Sequence, residues 1–199
     1  MPSKEGVELN KLTDEELIFS FQDGNEKAYT EIVNRYKDKL TNFVYRYVGN
    51  YDDSDDIVQD TFVKVYVSKH LYKEIAKFST WIYTIAINLA KTKIIKKQKY
   101  KTFSISDAYD DEDKDFDIPD DSYTPDVDAN SKFLSAHIQK ALDQISENYR
   151  KLVILRDVED FSYEEIVEMT GLPMGTVKSR INRGREKLQE LLKDIYKEE

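Results

Sequence analysis

The chain has 199 residues, no cysteine, two histidines and a formal net charge of −9, with 40% hydrophobic and 12% aromatic residues. This composition excludes a disulfide scaffold, a Cys/His zinc site and a disordered chain, and no apolar run approaches the ~18 residues of a bilayer span. Met1–Leu12 lacks the apolar core of a secretion signal, so the expectation is a cytoplasmic protein without membrane insertion.

The charge is unevenly spread. Asp107 to Asp128 hold eleven acids and one lysine, and the rest of the chain sums to +1. Two basic blocks flank this stretch: Trp81–Lys101 has six lysines and no acid, and Leu172–Leu188 has five bases and one acid. Local field rather than net charge governs contact with a polyanion, so an acidic chain can still bind nucleic acid.

In chain order, the spacing predicts helices only. Thr13 and Glu16 form a capping box for a short helix to Phe21. Asn25 caps a long one carrying Ala28, Ile32, Val33, Tyr36, Leu40, Phe43, Val44 and Tyr47 at helical spacing, and Gly49 ends it. A third helix starts near Asp52 with Ile57, Val58 and Phe62 inward. A fourth runs from Ser79 or Thr80 to about Lys99, with Ile82, Ile85, Ala86 and Leu89 as its buried side. Residues 107–130, with Pro119 and Pro125, read as a mobile linker. Helices then follow over Ser131–Ile145 and Asn148 to about Val158. Ser162 and Glu165 cap a seventh, Gly171 stops it, and an eighth begins after Pro173. The expected architecture is all-α: domain 1–106, linker 107–130 and domain 131–199, the second ending in a helix-turn-helix.

The last helix carries Val177, Ile181, Gly184, Leu188 and Leu191 on one stripe, which must face a core. Thr176, Lys178, Ser179, Asn182 and Arg183 lie off that stripe and can meet base edges and phosphates in a DNA groove. On the fourth helix, Thr84, Asn88 and Lys91 oppose the apolar side, and Lys96 and Lys97 belong to a basic run at its end. Phe78, Trp81 and Tyr83 lie just upstream. Aromatics beside a lysine track suit single-stranded nucleic acid, although Trp81 equally suits a core and the lysines equally offset a helix dipole. Asp52, Asp53, Asp55, Asp56 and Asp60 crowd the start of the third helix. Their spacing fits no calcium loop, and a helix N-terminus favours acids; the functional reading is a docking face for a basic partner.

Three segments carry a resemblance: "DDSDDIVQDTFVKVY", "KFSTWIYTIAINLAKTKI" and "SYEEIVEMTGLPMGTVKSRINRGREKL". Together, in this order, they resemble the extracytoplasmic-function (group IV) sigma factors of the bacterial sigma-seventy family, from Asp14 to Leu192. The resemblance implies sigma regions 2 and 4 joined by a flexible linker. It implies a subunit without catalysis or cofactor, which directs RNA polymerase core to promoters and aids strand opening. The implied partners are the β′ coiled coil and β subunit of the core, promoter DNA and an anti-sigma factor. Asp56, Gln59, Asp60 and Phe62 match the core-docking pattern. The loop from Ser68 to Ser79, with Asn88, matches the part that captures a flipped base of the −10 element, and Lys178, Ser179 and Arg183 match positions that enter the −35 major groove. The chain departs from the family at Thr92 and Ile95, where an acid and an arginine are common; Lys96 or Lys97 would take over the phosphate contact. It also has Ser146 in place of a proline, and Met174 where a smaller residue is usual. The competing readings are a stand-alone helix-turn-helix regulator and a metal-dependent nuclease built on the Asp52–Asp60 cluster.

Overall fold

The computed structural model describes residues 8–104 and 128–193, which are helical with no strand among them. The expected linker therefore lies mostly outside the described residues. The helices are α1 (Asp14–Gln22), α2 (Glu26–Val48), α3 (Tyr51–Ser68), α4 (Phe78–Ser104), α5 (Asp128–Gln144), α6 (Glu147–Val153), α7 (Tyr163–Thr170) and α8 (Met174–Leu192).

The first four form one bundle around α2. The Thr13–Glu16 capping box is reciprocal: the Thr13 N–H donates to Glu16 Oε2 at 2.8 Å and the Glu16 N–H to Thr13 Oγ1 at 3.2 Å. Asn25 caps α2, and Gly49 ends it in the left-handed conformation at φ +76°. Every residue of the expected α2 stripe is buried except Val33, which is half-buried. Arg35 of α2 ties down the N-terminal segment, donating to the carbonyls of Leu9, Asn10 and Leu12 and to the carboxylates of Asp14 and Glu31. Helix α4 outruns its expected end at Lys99, since no glycine or proline interrupts the chain between Phe78 and Ser104.

Helices α5–α8 form the second bundle, and α5 starts inside the stretch expected to be linker. The helix expected over Asn148–Val158 is α-helical only to Val153; Ile154–Val158 is a π-helical turn. Two wide hydrogen bonds close it, from the Glu159 N–H to Ile154 O and from the Phe161 N–H to Leu155 O, both 3.0 Å. Such a turn redirects the chain and places Glu159 and Phe161 against α4. The Ser162–Glu165 capping box then starts α7, and Gly171 at φ +67° ends it. In α8, Val177, Ile181 and Gly184 are buried, Leu188 is half-buried, and the stripe runs out to an exposed Leu191. Gly184 allows a close crossing, because a Cβ there would lie 2.6 Å from Val153 Cγ2 of α6.

The sequence predicts two helical domains and a linker; the structure adds that the two bundles of described residues pack on each other. The Tyr83 hydroxyl of α4 donates to Glu159 Oε2 at 2.5 Å, and its ring meets Phe161 edge-on at 4.8 Å. The Tyr47 hydroxyl donates to Glu147 Oε1 at 2.6 Å. Arg150 donates to Tyr47 O and Asp143 Oδ1, both 3.1 Å, and to the carbonyls of Asp143 and Ile145. Lys77 pairs with Glu165 at 2.8 Å. Gly49 has a second role here: a Cβ would lie 2.8 Å from Asp143 Oδ1.

Candidate nucleic-acid interface

The helix-turn-helix surface follows from the stripe behind it. With Val177, Ile181 and Gly184 turned into the core, Lys178, Ser179, Asn182 and Arg183 are all exposed on α8, and Thr176 is half-buried. Thr176 O accepts from the Ser179 hydroxyl at 3.1 Å. Lys178 Nζ stands 5.6 Å from the Tyr163 ring of α7, a cation–π contact that orients an otherwise free lysine. Not every base of this helix faces outward: Arg185 is engaged by Asp157 of the preceding π turn. That pairing raises the Arg185 pKa, chiefly through the hydrogen bond to Asp157.

On α4 the structure divides the expected residues. Asn88, Lys91 and Lys96 are exposed. Trp81 and Thr84 are half-buried, and the Thr84 hydroxyl donates back to Thr80 O at 2.7 Å. Phe78 has no exposed surface; it packs on Tyr36, Tyr72 and Trp81, so its ring supports the site from below and offers no face to a base. Tyr83, grouped with these aromatics by sequence, faces the second bundle instead. Lys97 turns back to α3 and pairs with Asp53.

The segment between α3 and α4 is held from inside and open at its tip. Gln22 Nε2 donates to Lys69 O at 2.6 Å and Tyr72 O at 3.1 Å, and the Tyr72 hydroxyl donates to Ala76 O at 2.9 Å. The Phe78 N–H donates to Glu15 Oε1 at 2.9 Å. Leu71 and Ile75 are 73% and 87% exposed on this segment. A rigid frame with exposed apolar tips can admit and hold an unstacked base.

The acidic face of α3 presents Asp56, Gln59 and Asp60 outward, whereas Phe62 is almost wholly buried. Gln59 donates to Asp55 Oδ2 at 2.6 Å. Asp53 is the exception in the cluster: its side chain is only 10% exposed and bonds Lys97 and Lys93. Burial would raise its pKa, but those two lysines outweigh burial and hold it below the ordinary carboxylate value.

The residues of the bundle contact escaped the sequence reading. Tyr47 sits on an apolar stripe where a core ring is expected. Arg150 and Lys151 stand at the head of the apolar run "LVIL", a signal that charge is drawn in beside the core there.

Residues 32–100 match the family model for Sigma-70 region 2, and residues 136–188 that for Sigma-70 region 4. The chain is 35% identical over 179 residues to the ECF RNA polymerase sigma factor SigW of Bacillus subtilis, covering 86% of this chain and 92% of that one. This chain belongs to the ECF sigma factors of the sigma-70 family. The sigma-E factor of Haemophilus influenzae is 31% identical over 193 residues, 93% of this sigma factor and 98% of that one. The sigma factor RpoE of Bartonella quintana, solved with the anti-sigma factor NepR, superposes with a TM-score of 0.66 at 26% identity over 84% of this chain and 98% of its own. These matches favour a sigma factor over a stand-alone regulator, because region 2 accompanies the helix-turn-helix in one chain. Among the described residues, no helix is long and apolar enough to cross a membrane.

Proposed function

We propose that this sigma factor, which is not itself an enzyme, recruits RNA polymerase core in the cytoplasm through the acidic face of α3. With the core it holds promoters at two places. Helix α8 enters the −35 major groove with Lys178, Ser179, Asn182 and Arg183. Asn88 and Lys91 of α4, with Trp81 and the loop ending at Phe78, take the unpaired −10 strand. The observation that carries this reading is the pair of outward polar faces, on α8 and α4, each backed by a buried apolar face of its own bundle. One is suited to duplex and the other to single strand. The similarity to a sigma factor solved with NepR supports an anti-sigma partner for this chain as well.

The test is transcription in vitro with core polymerase on a promoter library, together with core binding by Asp56→Lys/Asp60→Lys. Both positions are exposed, so the variant should keep its helicity and lose core affinity. Parental affinity at moderate salt would remove α3 from the docking role.

A further inference from the structure

The lysines at the end of α4 do not face one way. Lys93 and Lys97, one turn apart, both return to α3. Lys97 Nζ bonds Asp53 Oδ2, and Lys93 Nζ lies 3.4 Å from Asp53 Oδ1 and 3.1 Å from Asp56 Oδ2. Asp53 is fixed at both ends of this arrangement. Its N–H donates to Asn50 Oδ1 at 2.9 Å in the first turn of α3, and its carboxylate is nearly out of solvent. A carboxylate in that position must keep its cations, because leaving it unpaired costs far more than an exposed ion pair contributes. Lys91 and Lys96 are exposed and bond neither Asp53 nor Asp56, although Lys96 lines the α3–α4 groove with Asp56 and Asp60; Lys97 keeps about half of its side chain in solvent while paired. Ile95 lies on the side of Asn88 and Lys91 and offers no charge.

We infer that Asp53 is a positioning residue: by holding Lys93 and Lys97 against α3 it withdraws them from nucleic acid and leaves the phosphates of the opened strand to Lys91 and Lys96. This rests on α4 being the surface that takes that strand. It resolves the choice left by the departure at Ile95 in favour of Lys96. Position 53 thereby sets how many phosphates α4 can neutralise, and so the salt dependence of promoter opening.

The test uses the full chain bound to core polymerase and a forked promoter DNA whose −10 non-template strand is unpaired. Affinity is followed against salt for the parent and for alanine at 91, 93, 96 and 97. Each phosphate contact to a single strand contributes about 0.7 to the slope of log affinity against log salt. Lys91→Ala and Lys96→Ala should each lower the slope by about that amount, and Lys93→Ala and Lys97→Ala should not. Asp53→Asn should steepen it, and Lys97→Ala added to Asp53→Asn should reverse part of the gain. A fall at Lys97→Ala equal to that at Lys96→Ala would overturn the inference. Acetylation rates of the free protein separate the two premises, because they need no DNA. Lys93 and Lys97 should react more slowly than Lys96 and be released in Asp53→Asn. Equal rates would sink the positioning role alone. Slow rates together with four unchanged slopes would remove α4 from the DNA surface, and the inference with it.

Discussion

A methyl group at position 184 would collide with Val153, whereas the neighbouring Arg183 is exposed; adjacent residues of α8 thus answer to different demands. Gly184→Ala overpacks the α6–α8 crossing and should cost about 1–3 kcal/mol, read as a lower denaturant midpoint. Val153→Ala in the same chain should recover part of it by opening the space. Arg183→Ala touches no core and should change stability by less than about 0.5 kcal/mol. If Arg183 meets a base edge, its loss should cost roughly 1–3 kcal/mol of affinity at its preferred −35 sequence and relax the preference there. Transcription from a set of −35 variants measures this, and a parental pattern across the set would mean that Arg183 reads no base. This split was legible in the sequence, since a 100° stripe divides inward from outward without knowledge of the partner helix. The reason for a glycine within the stripe was not, because it lies in Val153, 31 positions away.

Three helix starts were equally legible, because their caps are local. Thr13, Asn25 and Ser162 each bond an N–H two or three residues on, and these short spacings are visible in the chain. The π turn at Ile154–Val158 was not, since the residues it serves, Glu159 and Phe161, find their partners on α4. The division of the α4 lysines was hidden for the same reason: helical spacing shows that Lys93 and Lys97 share a side, but not that α3 lies there. The α3–α4 contact should also carry an acid signature. The Asp53 pKa is depressed in the folded protein, so its contribution to stability is fully present above the unfolded carboxyl value, about 3.9, and is lost as pH falls through the lower native value. Parent and Asp53→Asn should therefore differ in denaturant midpoint at neutral pH and draw together as pH falls from about 4 through the native value. A difference that persists at lower pH would mean that Asp53 acts through something other than its charge.

For the whole molecule, the contact between bundles is the main feature that composition and periodicity did not reveal, because it is made by single side chains on faces that otherwise read as core or surface. Glu159 is a titratable part of it. Burial raises its pKa, and the Tyr83 hydrogen bond of α4 and the charges of Arg46 and Lys39 on α2 only partly offset this. A carboxyl whose pKa is raised by closing favours the closed arrangement when protonated, and that gain is lost as pH rises through the raised value. With cysteine absent from the chain, Asn34→Cys and Glu190→Cys give two exposed dye positions, one on each bundle. Energy transfer between them should be higher at about pH 5 than at about pH 8, and Glu159→Gln should flatten the difference. A parental pH response in that variant would assign it to another group. The same contact turns promoter recognition into a problem of reach. Elements named for positions −35 and −10 lie about 25 base pairs apart, roughly 85 Å along a straight duplex. Yet α7, which carries α8, lies against α4 through Lys77 and Glu165. If α8 and α4 take the two elements as proposed, the bundles must part before both grips close, still joined through the stretch between Ser104 and Asp128. On the proposed reading, a promoter is then gauged by its spacing as well as read by its bases.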